Sequence, residues 1–143
     1  MSRETTVAFA ALAVIALHVL DDNLLQPEAG TSAADHLVSA VVPLATLLTV
    51  AVAYPHLRAG LRAAITIPLG VLGIVAGAGE AGYYSLHRGP SGDDYTGLLA
   101  LAAGLLLVGV GATTLWASRR RHDSLLRRYL RRSLQAAAAL VGG

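Results

Sequence analysis

The amino-acid sequence predicts an all-α, polytopic membrane protein, a bundle of four transmembrane helices followed by a C-terminal basic amphipathic helix. The chain of 143 residues is 55% hydrophobic and 14% charged, and its mean hydropathy is +0.58. That is too apolar for a soluble domain of this size. Four stretches contain no Asp, Glu, Lys or Arg, and they comprise residues 5–20, 37–57, 63–79 and 95–118. Because a helix needs about 20 residues to cross a hydrocarbon core of roughly 30 Å, each stretch predicts one membrane span.

The first two spans are bounded by recognisable start and stop signals. The first helix is predicted over about 4–25, and no small-x-small cleavage site follows it, so we expect it to be retained rather than removed as a secretory signal. The second is predicted over about 32–54. Ser32 and Asp35 form a capping-box variant at its start, and Tyr54-Pro55 ends it, because proline cannot donate to the backbone ladder.

The third and fourth spans are predicted over about 61–86 and 95–117, and both are rich in glycine. Small residues let helix backbones approach closely, which is the main route to helix association in lipid. We therefore expect these two helices to form a tight antiparallel hairpin. The glycines expected at its interface are Gly73, Gly77, Gly97, Gly104 and Gly111.

The arginines predict the orientation of the bundle. With the N-terminus in the cytoplasm, ten of the eleven basic residues, all arginine, fall on the inner side, and Arg88 is the exception. The positive-inside rule then predicts a multi-pass protein of the bacterial inner (plasma) membrane with both ends of the 1–118 transmembrane domain in the cytoplasm. The absence of lysine and the heavy use of Ala, Gly, Leu, Val and Arg indicate a high-GC bacterial source.

Residues 119–143 form the second predicted unit, a cytoplasmic basic amphipathic segment. Leucines and Tyr129 recur there at helical spacing between arginine pairs, which predicts contact with anionic lipids at the cytoplasmic face and makes nucleic-acid binding a minor alternative that we do not adopt. The arginines expected to face lipid are Arg127, Arg128, Arg131 and Arg132. The apolar residues 136–143 are either a tail buried against the bundle or the start of a fifth membrane helix.

Four strings carry a family resemblance: HVLDDNLLQPEAGTSAADHLVSAVVPL, YPHLRAG, GPSGDDYTGLLALAAGLLLVGVGATTLW and RRYLRRSL. Together they resemble the N-terminal transmembrane region of actinobacterial α/β-hydrolase-like membrane proteins over nearly the whole chain. In that family a hydrolase domain follows the membrane region. This sequence contains neither that domain nor a G-x-S-x-G nucleophile elbow, so the resemblance implies a membrane module that works beside, or once preceded, a catalytic partner.

Polar residues gather at the predicted outer end of the bundle and form the candidate site. They are His18, Asp21, Asp22, Asp35, His36, Glu80, Tyr84 and His87. Carboxylates and imidazoles from several helices can bind a divalent metal or relay protons, but loop acids are more often solvated. If Glu80 lies inside the membrane boundary it needs a partner, and His18 is the best candidate.

The sequence therefore favours an integral membrane module for anchoring, docking or assembly, associated with a hydrolase-type partner domain. Its expected partners are the lipid bilayer and either another membrane protein or a second copy of the chain. No cofactor, metal or catalytic residue is assigned, and a non-enzymatic role is favoured. The alternative is a metal-binding or hydrolytic site at the extracytoplasmic face.

Overall fold

A computed structural model of the chain describes residues 1–26, 30–88 and 94–141. Within these ranges the chain is helical and contains no strand, which confirms the all-α prediction. The helices are α1 (Arg3–Leu20), α2 (Leu37–Ala53), α3 (Ala59–Ala78), the short α4 (Ser85–Arg88) and α5 (Asp94–Val141). Four segments are long and apolar enough to cross a membrane, and they comprise Arg3–Leu25, Leu37–His56, Ala59–Tyr83 and Tyr95–His122. They agree with the four predicted spans.

A dry apolar core occupies the middle of the bundle. Small and branched side chains of α1 pack there against α5, and α2 joins through Leu47. The buried core residues are Ala8, Ala11, Leu12, Ile15, Leu47, Tyr54, Ala103, Leu107 and Val110. Many large apolar side chains on the outer faces are exposed, such as Val38 and Leu72, as expected for helices suited to cross a membrane.

Helices α3 and α5 approach each other through glycines in an antiparallel register. A Cβ built on Gly104 would lie 2.5 Å from the carbonyl oxygen of Gly70, and one built on Gly111 would lie 2.7 Å from the hydroxyl of Thr66. A Cβ on Gly77 would overlap the carbonyl oxygen of Gly97. Any side chain at these positions would force the helices apart, so the glycines set the spacing of the pair.

The predicted interface glycines all lie at contacts between helices. Gly73 adds a contact with α1, because a Cβ there would lie 2.9 Å from the terminal methyl of Ile15. Gly70 was not among the interface glycines expected from the sequence, although its backbone carbonyl lies against Gly104.

Two predicted boundaries differ from the structure. Helix α2 begins at Leu37 and not near Ser32, because the Asp35 carboxylate accepts hydrogen bonds from the N–H and the hydroxyl of Ser32 and closes a separate turn. The fourth predicted span, 95–117, lies within the apolar segment Tyr95–His122, but the basic segment after it was predicted as a separate amphipathic helix. Instead α5 continues without a break to Val141, and no Gly or Pro interrupts residues 112–141.

Candidate functional site

Two π-helical turns shape the end of the bundle that carries the acidic loops, which we call the acidic end (Asp21, Asp22, Asp35 and Glu80). One turn, Asp21–Leu25, extends α1, and the other, Gly79–Tyr84, extends α3. Such turns are rare and occur often at functional sites, because the extra residue per turn changes the direction of the side chains that follow. No sequence pattern had indicated them.

Three side chains at the acidic end form a hydrogen-bonded chain between α1 and α5. His18 is 5% exposed, and its Nδ1 lies 3.3 Å from Oγ1 of Thr96. The Thr96 hydroxyl donates to Oδ2 of Asp21 at 2.8 Å. A hydroxyl has a single proton, so Thr96 accepts from His18 and His18 carries a hydrogen on Nδ1. The hydrogen-bonded chain thus assigns a hydrogen to Nδ1 of His18.

A second chain joins the end of α1 to the start of α2. The Asn23 amide donates to Oδ2 of Asp22 and to the carbonyl of Val19, each at 3.0 Å. Its oxygen accepts from the Ser39 hydroxyl at 2.6 Å. Asn23 is buried, and these bonds satisfy both ends of its amide, which removes the cost of burying it.

Glu80 packs against α5 at Gly97, the residue after Thr96. Its Cβ is 2.9 Å from where a Cβ on Gly97 would lie, so the stem of the glutamate packs over that glycine. His18 was the expected partner of Glu80. The hydrogen bond of His18 goes instead to Thr96, which is not among the site residues predicted from the sequence.

The remaining predicted residues make local contacts. Nδ1 of His87 donates to the carbonyl of Tyr83 at 2.7 Å, and the His87 ring stacks on the Tyr83 ring. His36 pairs with Thr31 at 2.8 Å, and Asp35 is bound by Ser32, whose hydrogen bonds hold the pKa of that carboxyl below its usual value. The side chain of Tyr84 lies outside the described part of the structure.

The structure thus joins His18 with Asp21 through Thr96, and Asp22 with α2 through Asn23. In the described part of the structure, Asp35, His36 and His87 make hydrogen bonds with neighbours in the chain. Among the residues that the structure describes, no group of three or more His, Asp or Glu side chains is arranged to hold a metal ion. The arrangement supports a hydrogen-bonded junction between helices. Three members of this junction are not among the site residues predicted from the sequence, namely Asn23, Ser39 and Thr96. The only signal for them in the sequence is a hydroxyl or amide group in or beside a charge-free run.

A second polar cluster lies at the opposite end, which we call the basic end (Glu4, Tyr54 and Arg62). Tyr54 is fully buried, and its hydroxyl donates to Oε1 of Glu4 at 3.0 Å. Arg62 lies 3.5 Å from the same carboxylate oxygen, donates to the carbonyl of Pro55 at 2.9 Å, and its guanidinium carbon is 5.2 Å from the centre of the Tyr54 ring. These contacts tie α1 to α3 and to the 3₁₀ turn Tyr54–His56.

Two buried polar atoms in the described part of the chain have no hydrogen-bond partner, namely Nε of Arg62 and Oγ1 of Thr114. Thr66 of α3 lies against Gly111 of α5, and the two helices are antiparallel. Arg62 and Thr114 therefore lie at about the same height along the pair of helices. An unsatisfied buried polar group costs about 1–3 kcal/mol, so these two atoms are a cost to stability near the basic end.

No protein-family model, curated protein or solved structure matches the chain. The class of the protein is therefore inferred from its fold and from the polar clusters at the two ends of the bundle. It is an all-α protein whose four long apolar helices are suited to cross a membrane, with a polar junction at each end of an apolar core.

Proposed function

We propose that this chain is a multi-pass module of a bacterial plasma membrane that anchors and docks a partner on the cytoplasmic side, with both helical ends of the bundle inside. The continuity of α5 carries the proposal. At about 1.5 Å per residue its 48 residues extend about 72 Å, more than twice the hydrocarbon thickness. A single rigid element therefore links the membrane span to the arginine-rich segment.

The orientation is supported by charge. Arg3, Arg58 and Arg62 lie at the start of α1 and α3, on the same side as Arg119–Arg121 in α5, whereas the loops at the other end are acidic. Translocating the arginine-rich segment would be costly, so the basic end is expected in the cytoplasm.

The docking role is supported by what α5 presents beyond the span. Arg119, Arg120 and Arg121 are exposed, as are Leu125 and Tyr129. The predicted lipid-facing residues Arg127, Arg128, Arg131 and Arg132 have side chains outside the described part. The family resemblance suggests a hydrolase-type domain, as the docked partner, and an actinobacterial source.

A cysteine-labelling experiment tests the orientation, since the chain has no native cysteine. Single-cysteine variants Thr31→Cys and Ser124→Cys are expressed in bacterial cells and treated with a membrane-impermeant maleimide. We expect labelling of Thr31→Cys in intact cells and of Ser124→Cys after permeabilisation only. Leu48→Cys, at an exposed apolar position of α2, serves as the unreactive membrane control. The reverse pattern contradicts the proposed orientation.

Docking is tested with a photo-crosslinking amino acid at position 121, compared with the same residue at position 48. A saturable protein adduct from position 121 alone, lost when residues 126–143 are deleted, supports the docking role. Absence of an adduct from position 121, or equal adducts from both positions, contradicts it.

A second candidate function is the metal-binding or hydrolytic site at the acidic end, and it is favoured by the buried His18, which is linked through Thr96 to Asp21 beside a π-helical turn. The test is elemental analysis of protein purified without chelators, for the parent chain, His18→Ala and Glu80→Gln. A stoichiometric metal that both changes remove supports this candidate, and no metal in the parent contradicts a metal site.

A further inference from the structure

Trp116 and Arg120 form a stacked pair near the basic end of α5. The guanidinium carbon of Arg120 lies 5.0 Å from the centre of the indole ring, and the two residues are one helical turn apart. Trp116 is 63% exposed, Arg120 is also exposed, and the chain contains no other tryptophan. The contact holds a flexible cation in one place on the surface.

This pair lies on the face of α5 that turns away from the rest of the bundle. Gly97, Gly104 and Gly111 contact α3, and at 100° per residue Trp116 is about 140° around the helix from Gly111. Gly109 lies on the same outward face as Trp116, and a Cβ built there would meet nothing within 4 Å. Lipid is therefore the neighbour of this face wherever α5 spans a membrane.

The position of the pair along α5 is that expected at the start of the lipid headgroups. Trp116 falls at the end of the charge-free run 95–118, and tryptophan prefers the boundary between hydrocarbon and headgroups. In a membrane crossed by this run, Arg120, one turn further out, is expected at the level of the phosphates. Within the described part of the chain its guanidinium makes no hydrogen bond or ion pair, so its donors are available.

The chemistry of the pair matches a phosphate group. A guanidinium presents planar paired donors that suit phosphate oxygens, and an aromatic ring behind it keeps the group oriented. Arg119, about 60° around the helix from Trp116, adds positive potential beside it. Clusters of arginines next to a membrane span recognise anionic lipids.

We infer that Trp116 and Arg120 form a binding site for the headgroup of an anionic phospholipid, on the lipid-facing side of α5. The inference rests on the proposed function in one respect, namely that α5 spans a membrane. It places a site of lipid recognition next to the membrane span.

Quenching of tryptophan fluorescence tests this site directly, because Trp116 is the only tryptophan in the chain. The full chain is reconstituted in phosphatidylcholine vesicles that contain either brominated phosphatidylglycerol or brominated phosphatidylcholine at equal mole fraction. We expect the anionic lipid to be enriched next to Trp116 by about fivefold, the magnitude typical of one arginine at an anionic surface. Arg120→Gln is expected to reduce the enrichment to less than twofold.

Arg121→Gln is the matched control, since it removes the same charge from α5 but lies about 140° around the helix from Trp116. Enrichment that survives Arg121→Gln and is lost in Arg120→Gln supports the site. Equal quenching by the two lipids in the parent chain, or equal losses in the two variants, overturns it. If neither lipid quenches Trp116, the chain is not inserted and the proposed membrane function fails instead.

Discussion

The hydroxyl of Tyr54 donates a hydrogen bond to Oε1 of Glu4, which is 50 residues earlier in the chain. This bond joins the end of α2 to the first turn of α1, and Arg62 of α3 approaches the same carboxylate oxygen. The residue after α2 and a residue of α3 thus contact the same carboxylate oxygen of α1. The basic end is therefore held by charge-assisted contacts, whereas the middle of the bundle is held by apolar packing.

Replacing Tyr54 with Phe should weaken the basic end. The change keeps the ring and removes the donor to a carboxylate, a loss of about 1–2 kcal/mol. The measurement is unfolding in mixed detergent micelles with increasing dodecyl sulfate, followed by circular dichroism. Tyr95→Phe, at an exposed position, is the control and should change little. Equal stabilities for the two variants would contradict the role of the Tyr54–Glu4 bond.

Adding one methyl group at Gly77 should separate α3 from α5. In Gly77→Ala the new Cβ would overlap the carbonyl of Gly97, and overpacking of this kind costs about 1–3 kcal/mol. Gly109→Ala makes the same change on an open face and should be neutral or slightly stabilising. The same micelle unfolding assay compares them, and a Gly77→Ala variant as stable as Gly109→Ala would show that the close approach is not needed.

His18 should carry its hydrogen on Nδ1, because the Thr96 hydroxyl is committed to Asp21. Nitrogen-15 NMR of the imidazole ring in micelles at neutral to alkaline pH distinguishes the tautomers. Thr96→Val breaks both bonds and should cost about 1–2 kcal/mol, whereas Thr113→Val, at an exposed threonine bonded within α5, should not alter His18. An Nε2–H tautomer in the parent chain would refute the assignment.

Thr114→Val should stabilise the protein by about 1 kcal/mol. Valine has nearly the shape of threonine, and the change removes a buried hydroxyl without a partner in the described structure. Thr66→Val is the matched change on α3 and should be neutral or destabilising, because the Thr66 hydroxyl donates to the carbonyl of Arg62. If Thr114→Val destabilises the protein as much as Thr66→Val, its hydroxyl has a partner in solution.

The turn before α2 should depend on pH through Asp35. The Ser32 hydroxyl and then the Ser32 N–H donate to the carboxylate and lower its pKa in the folded state. Because the pKa of Asp35 is lower in the folded state, its bonds with Ser32 stabilise the turn at pH values above the ordinary pKa of aspartate. This stabilisation is lost as the pH falls through the pKa of Asp35 in the folded state. Carbon-13 NMR titration should show that Ser32→Ala raises the pKa of Asp35, while Ser39→Ala leaves it unchanged. An unshifted pKa in Ser32→Ala would contradict the turn.

Much of the fold could be predicted because local composition decides it. The charge-free runs mark the four spans, since each charged side chain is costly in hydrocarbon and each span must be long enough to cross it. The seven-residue spacing of Gly97, Gly104 and Gly111 places them on one face of α5. His18 lies in the last turn of the first charge-free run, and Asp21 and Asp22 directly follow that run. The sequence therefore also places these three residues near one end of the bundle.

What the sequence by itself determined is therefore which segments are apolar, which end of each is charged, and which residues share a helix face. Only the tertiary structure decided that Thr96 bridges His18 to Asp21 and that Tyr54, Glu4 and Arg62 meet. Such partners depend on the rotation and register of one helix against another. The rotation and register of each helix are set by its packing against segments that are distant in the chain. No local sequence pattern reports that packing.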